Sequence, residues 1–98
     1  MSRSITVKLL LFGKVREMAE TSSAELQLLT DDPSRKITCK EMKEAIFDKT
    51  IPSLRPVKDS CLLAVETGSG PKYCCDDGEE FVLSEIQEIA IIPPLGGG

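Results

Sequence analysis

Only one stretch of this chain is written to become a helix of any length. Thr38 stands as its N-cap and Glu41, three residues on, completes a capping box, while Ile37 and Met42 are placed to close a hydrophobic staple across it. The helix is expected to run from Cys39 to about Lys49 and to bury Cys39, Met42, Ala45 and Ile46 along one stripe. Pro52 and Pro56 stop it and leave an irregular segment to about Asp59. One helix covers one face of a sheet, so the chain is expected to be α+β, a single mixed sheet packed on one main helix.

The strands of that sheet are read from period-two patterns. Ile5 to Phe12 (ITVKLLLF) sets Ile5, Val7, Leu9 and Leu11 on one side and Thr6, Lys8, Leu10 and Phe12 on the other, a side that begins polar and ends apolar. Lys14 to Glu20 (KVREMAE) are good helix formers with Val15, Met18 and Ala19 at helical spacing, which predicts about two turns. Ala24 to Leu29 alternates Ala24, Leu26 and Leu28 against Glu25 and Gln27, a strand with one wet face. After the helix, Cys61 to Thr67 reads as a strand, Gly68 to Pro71 as a turn, and Lys72 to Cys75 as a weak strand. Asp76-Asp77-Gly78 turns the chain again into the short apolar run Phe81 to Leu83. Ser84 to Gln87 connects that run to a last buried strand, Glu88 to Ile92. Residues 1–92 are thus expected to form one domain and residues 93–98 an extended tail.

Missing residue types exclude more than the present ones suggest. The 98 residues contain no histidine, which removes Ser-His-Asp and Cys-His catalysis, histidine metal sites and any imidazole base. Cys39, Cys61, Cys74 and Cys75 include no C-x-x-C pair, so a zinc site is not expected and no metal is assigned. With Met1-Ser2-Arg3-Ser4 at the start and no apolar signal region, the four are expected to be reduced thiols in a cytosolic protein. A net charge of −4 offers nothing to a phosphate backbone, so nucleic acid is not an expected partner. The longest apolar stretch, Val7 to Phe12, is interrupted by Lys8 and falls far short of the roughly 20 residues that span a bilayer, so no membrane association is expected.

The feature with the most chemistry in it is the end of the chain. A buried strand runs into Pro93-Pro94, which deny the ladder its N–H donors, and Leu95-Gly96-Gly97-Gly98 follow to a free carboxylate. Six residues at about 3.3 Å each reach roughly 20 Å from the fold. Glycine has no Cβ, so such a tail can enter a channel too narrow for side chains and bring its carboxylate to a reactive centre. Terminal glycines taken alone are mostly a frayed end or a cloning scar.

The ending IAIIPPLGGG, preceded by FVLSEIQE, resembles the small subunits of molybdopterin synthase, which typically close with a hydrophobic strand, Pro-Pro, two variable residues and Gly-Gly. The front, KLLLFGKVREMAE, is similar to the same family, as are LLAVE and the segment Tyr73 to Leu83. Departures are confined to loops and one tail position: Ser84-Glu85-Ile86-Gln87 replaces a glycine-containing turn, Gly68 to Pro71 extends a hairpin, and Gly96 stands where a small polar residue is common.

That resemblance implies a β-grasp, ubiquitin-like fold with a flexible Gly-Gly tail, and a sulfur carrier. Its terminal glycine, here Gly98, would be adenylated by an E1-like enzyme that consumes ATP and then converted to a thiocarboxylate. Its sulfur would pass to cyclic pyranopterin monophosphate inside a large catalytic subunit, and two such deliveries build the molybdopterin dithiolene. Pro93, Pro94, Leu95, Gly96 and Gly97 would carry Gly98 into both partners. The implied assembly is a heterotetramer of two small and two large subunits, with no cofactor held tightly by this chain. Acid–base groups would come from the large subunit, in keeping with the absence of histidine here. Two other readings use the same tail: a ubiquitin-related modifier or sulfur carrier for tRNA or thiamine thiolation, and an interaction module without sulfur chemistry. Pro93-Pro94 directly after the last strand favours the molybdopterin family over the first of these.

A docking face can also be placed. If Ile89 and Ile91 point inward, Ala90 and Ile92 point outward, and adjacency of the first and last strands in a β-grasp sheet sets Leu10 and Phe12 beside them. These four either meet a partner or are covered by the protein's own loops. Cys74-Cys75 could be a redox or sulfur-relay pair or simply small hydrophobes. Asp76, Asp77, Glu79 and Glu80 form either a cation or basic-partner site or a solvated turn, and Lys14 and Arg16 either contact the activating enzyme or a nucleotide or lie on open surface.

Overall fold

In the order of the chain, the elements are β1 (Arg3–Leu11), α1 (Gly13–Ala19), β2 (Ser23–Thr30), β3 (Lys36–Thr38), α2 (Cys39–Lys43), a π-helical segment (Glu44–Thr50), a 3-10 segment (Pro52–Val57), β4 (Leu62–Thr67), β5 (Gly70–Tyr73), β6 (Glu80–Val82), a 3-10 turn (Leu83–Glu85) and β7 (Glu88–Ile92). The structure is a computed structural model that describes residues 3–32, 34–74 and 76–93.

β1, β2, β4, β5 and β7 form a mixed sheet in the order β2-β1-β7-β4-β5. β1 and β2 are an antiparallel pair in which Val7 faces Leu26 and Ile5 faces Leu28. The chain then leaves the sheet, and its last strand returns to lie parallel to β1, with Leu9 opposite Ile89 and Leu11 opposite Ile91. On its other side β7 is antiparallel to β4, where Leu63 meets Ile91 and Val65 meets Ile89. The last strand is therefore the middle of the sheet, hydrogen-bonded along both edges.

The inward residues expected from the alternation are the core. Val7, Leu9, Leu63, Val65, Ile89 and Ile91 are fully buried, and Met42, Ile46 and Phe47 close over them from the helical side. Each such side chain contributes about 1.5 to 3 kcal/mol relative to exposure. Val15 anchors α1 to the same core, and Leu54 does so for the 3-10 segment, the stretch expected to be irregular.

The helix start is as written in the sequence. Thr38 Oγ1 accepts from the Glu41 N–H at 3.1 Å, and Glu41 Oε1 accepts from the Thr38 N–H at 3.2 Å. Replacing Thr38 by Ala removes the box and is expected to cost about 1 kcal/mol, a drop of about 4 to 8 °C in thermal midpoint for a domain of this size, read by a circular dichroism melt. Beyond Lys43 the helix differs from the expected regular one. The Ile51 N–H donates to the Ile46 carbonyl at 2.8 Å, a five-residue step that widens the turn. This widening lets Phe47 share the inward face with Met42, while Ala45 is only half-buried.

Two further expectations are corrected. There is a second, two-stranded sheet, β3 with β6, in which Ile37 opposes Phe81. Ile37 thus belongs to a strand pairing as well as to the helix entry, and a partner 44 residues away by number leaves no mark in the local pattern. The expectation of four reduced thiols also fails, because Cys39 and Cys74 form a disulfide across a Cα separation of 5.9 Å. The fold brings them together when β5 pairs with β4 and the loop after it folds onto the first turn of α2. The Asp77 and Glu79 carbonyls accept from Lys40 and Cys39 N–H there, and Lys43 pairs with Asp77 at 3.2 Å. Cys75 lies outside the described residues.

Candidate functional site

The chain reaches Pro93 from the most constrained strand of the sheet, β7. β7 is held by β1 along residues Glu88 to Ile91 and by β4 along Glu88 to Ile92, so the chain is pinned up to the residue before Pro93. A central strand cannot fray without breaking two ladders, and this fixes the point at which the chain passes Ile92. The expected tail residues Pro94, Leu95, Gly96, Gly97 and Gly98 lie outside the described residues; Pro93 is half-buried just past the end of β7. Around this exit stand the last residues of β1, the first turn of α1 and the first residues of β4.

The face of the sheet turned away from the helix carries the expected apolar residues together. Leu10 is in register with Ala90, and both are half-buried. Ile92 is the next outward residue on β7, and Phe12, one residue beyond β1, is 48% exposed. Phe12 is the N-cap of α1 rather than a strand residue, because its extended backbone (φ −125°, ψ 154°) gives way at once to the helix. Among the described residues, no loop fully covers any of the four.

The strand order adds residues that the sequence reading did not assign. Leu62 pairs with Ile92 and is 38% exposed, Ala64 pairs with Ala90, and Tyr73 pairs with Ala64 and is 49% exposed. The result is an apolar band running from Leu10 across Ala90 and Ala64 to Tyr73, with Ile92 and Leu62 beside it at the tail exit. The alternation in Cys61 to Thr67 contains the signal for Leu62 and Ala64, but only adjacency to β7 gives it meaning. Toward the other end the face turns polar, where Thr6, Lys8, Ser23, Glu25 and Gln87 line an open groove of about 440 Å³.

The other chemical candidates do not gather at this exit. Cys74 is bonded to Cys39, and Cys61 is buried, with desolvation pushing its thiol above the ordinary range and away from reactivity. Two acidic residues of the loop after β5 are used locally: Asp76 accepts from the Gly78 N–H at 2.9 Å, and Asp77 pairs with Lys43, whereas the buried Glu79 Oε2 has no hydrogen-bond partner among the described residues. Asp48 has its carboxyl lowered chiefly by the 2.9 Å hydrogen bond from Lys58, which clasps the π-helical segment to the turn beyond it. Lys14 and Arg16 are exposed on α1 without an ion-pair partner among the described residues. Among those residues no three His, Cys, Asp or Glu converge to hold a metal ion, and no helix is long and apolar enough to cross a membrane.

Known proteins are similar to this chain over nearly all of its length. No family model matches it. The molybdopterin synthase sulfur carrier subunit of Anopheles gambiae is 33% identical over 95 residues, spanning 97% of this chain and 94% of that protein. Proteins of the same name from Drosophila yakuba and Arabidopsis thaliana are 33% and 30% identical, covering 96% and 97% of this chain and 92% and 85% of their own lengths. Among solved structures, SAMP1 from Haloferax volcanii superposes with a TM-score of 0.61 over 95% of this chain and 99% of that one, at 18% identity. At that identity the likeness speaks for the fold, a ubiquitin-like β-grasp. Identity of about a third along almost the whole length, in insects and near it in a plant, settles the lineage: this chain belongs to the family of molybdopterin synthase sulfur carrier subunits.

Proposed function

We propose that this protein carries sulfur on its last atom. A carboxylate such as that of Gly98 lacks a good leaving group and is inert to nucleophiles until activated. An E1-like enzyme joins it to the α-phosphate of ATP, releasing pyrophosphate and leaving an acyl adenylate. A sulfur nucleophile then displaces AMP to give the thiocarboxylate. Inside the large subunit of molybdopterin synthase the terminal sulfur bonds to a side-chain carbon of cyclic pyranopterin monophosphate as a carbon–oxygen bond at that carbon breaks and the oxygen departs with its electron pair, and water then cleaves the acyl–sulfur bond to restore the carboxylate. Two deliveries complete the dithiolene.

Family membership over nearly the full length of the chain carries this reading. The position of β7 supports it, since a tail rooted in a central strand is aimed by the whole sheet. The apolar band at the tail exit supports docking of the large subunit on the outer face, through Leu10, Phe12, Ala90 and Ile92 with Leu62 beside them. In the proposed assembly two small and two large subunits form a heterotetramer in the cytosol. The large subunit supplies the acid–base groups that this histidine-free chain lacks.

Incubation with the activating enzyme, ATP and a sulfur donor is expected to raise the intact mass by the exchange of one oxygen for one sulfur, mapped by fragmentation to Gly98. Addition of the large subunit and the pterin precursor is then expected to reverse that mass change and yield molybdopterin. An unaltered mass under conditions that charge a related carrier defeats the proposal. Charging without transfer to the pterin redirects it to tRNA or thiamine thiolation.

A further inference from the structure

Gly13 stands where the tail begins, and two observations show that its lack of a side chain matters there. An ideal Cβ built on Gly13 lies 3.1 Å from Pro93 Cγ and 3.9 Å from Pro93 Cδ. The first distance is tighter than ordinary packing tolerates, so one of the two groups would have to move by a few tenths of an ångström. Gly13 is also in the left-handed region, φ +56°, which lets β1 end at Leu11 and α1 begin only two residues later. α1 cannot readily retreat, because Val15 is buried in the core at 1% exposure. β7 cannot shift either, being paired on both edges. Pro93 is the first residue past those ladders, so it is the group that gives way.

From this we infer that Gly13 is a positioning residue for sulfur delivery: its bare Cα forms the seat against which the Pro93 ring rests, and so sets the direction in which the tail leaves the sheet. The inference rests on the sulfur-carrier reading and deepens it. The proline ring contributes by fixing its own φ near −65°, so a seated ring defines the heading of the next peptide unit. For a tail held extended in a partner's channel, a tilt of about 5° at the root moves an end about 17 Å away by about 1.5 Å. Misplacement on that scale is enough to slow a positioned reaction about 100-fold, and the glycines of the tail absorb part of it.

The test separates the seat from the backbone conformation. Asn tolerates a left-handed φ yet carries a Cβ, so Gly13→Asn adds the contact with little strain. Pro93→Ala removes Cγ and Cδ, the atoms that a new Cβ would meet. Both single variants, the double variant and the unaltered protein are prepared already thiocarboxylated at Gly98, bound at saturation to the large subunit, and assayed for sulfur delivery to the pterin precursor in a single turnover. Affinity for the large subunit and thermal midpoint are measured alongside. Gly13→Asn is expected to slow delivery about tenfold with its affinity for the large subunit within about twofold. Introducing Gly13→Asn into the Pro93→Ala background is expected to change the rate less than about twofold, which a purely structural role for Gly13 does not produce. Equal slowing in both backgrounds overturns the inference, as does delivery by Gly13→Asn at the unaltered rate. If the unaltered thiocarboxylate delivers no sulfur, the carrier reading itself falls and the inference with it; delivery by the unaltered protein with no coupling between residues 13 and 93 removes the inference alone.

Discussion

A protein lengthened by one residue after Gly98, chosen to resist trimming, is expected to form no molybdopterin above background while melting at the temperature of the unaltered protein. In the proposed chemistry the reacting carbon is the carboxyl carbon of Gly98, and an added residue converts it to an amide and moves the new carboxylate about 3.5 Å further on. An error of about 1 Å at a reacting centre already costs about 100-fold, and a side chain at the new position adds bulk to a stretch that ends in three glycines. The domain is untouched because its core is assembled from residues no later than Ile91. Product formation with purified activating enzyme and large subunit provides the measurement, and undiminished synthesis by the lengthened protein would mean that the chain end is not the working part. Removing Gly97 and Gly98 is expected to have the same effect while leaving the large subunit bound, since the apolar face remains.

The second large effect concerns that face. Ala90→Asp is expected to weaken binding to the large subunit about 100-fold, near 2.8 kcal/mol, as read by titration calorimetry. Ala90 lies in register with Leu10 on one side and Ala64 on the other, at the middle of the apolar band. A carboxylate there must lose its water in an interface that offers it no partner on this chain, and such unpaired buried charges cost several kcal/mol. The domain itself should lose no more than about 1 kcal/mol, the span of strand propensity, because the side chain projects away from the core. Gln27→Asp provides the control. It is exposed on β2, opposite Thr6 in the polar half of the sheet, and its binding is expected to be unchanged. Equal affinity for Ala90→Asp and Gln27→Asp would place the docking surface elsewhere.

Elements whose cause is local were legible in the sequence. The capping box at Thr38 and Glu41 needs only four consecutive residues, and it is present with both hydrogen bonds. The alternation in Glu88 to Ile92 separates inward Ile89 and Ile91 from outward Ala90 and Ile92 without reference to any neighbour. The resemblance in the tail and first strand pointed to the β-grasp fold, which agrees with the likeness to SAMP1. What failed was non-local. The pairing of Ile37 with Phe81 and the bond between Cys39 and Cys74, 35 residues apart, depend on how loops fold back. The inward turn of Phe47 depends on a widened helix that no 3.6-residue pattern describes.

The sequence by itself determined which side chains can be buried, where the main helix starts, and that three consecutive glycines follow Pro93-Pro94-Leu95. These follow from chemistry that each residue carries with it: apolar surface, a capping oxygen, a missing Cβ. Only the tertiary structure decided that the last strand lies between β1 and β4, that Leu62, Ala64 and Tyr73 join the face beside the exit, and that Gly13 lies under Pro93. Those are relations between residues distant along the chain, and they exist only once burial of a shared core has selected one strand order from the several that the same alternating patterns allow.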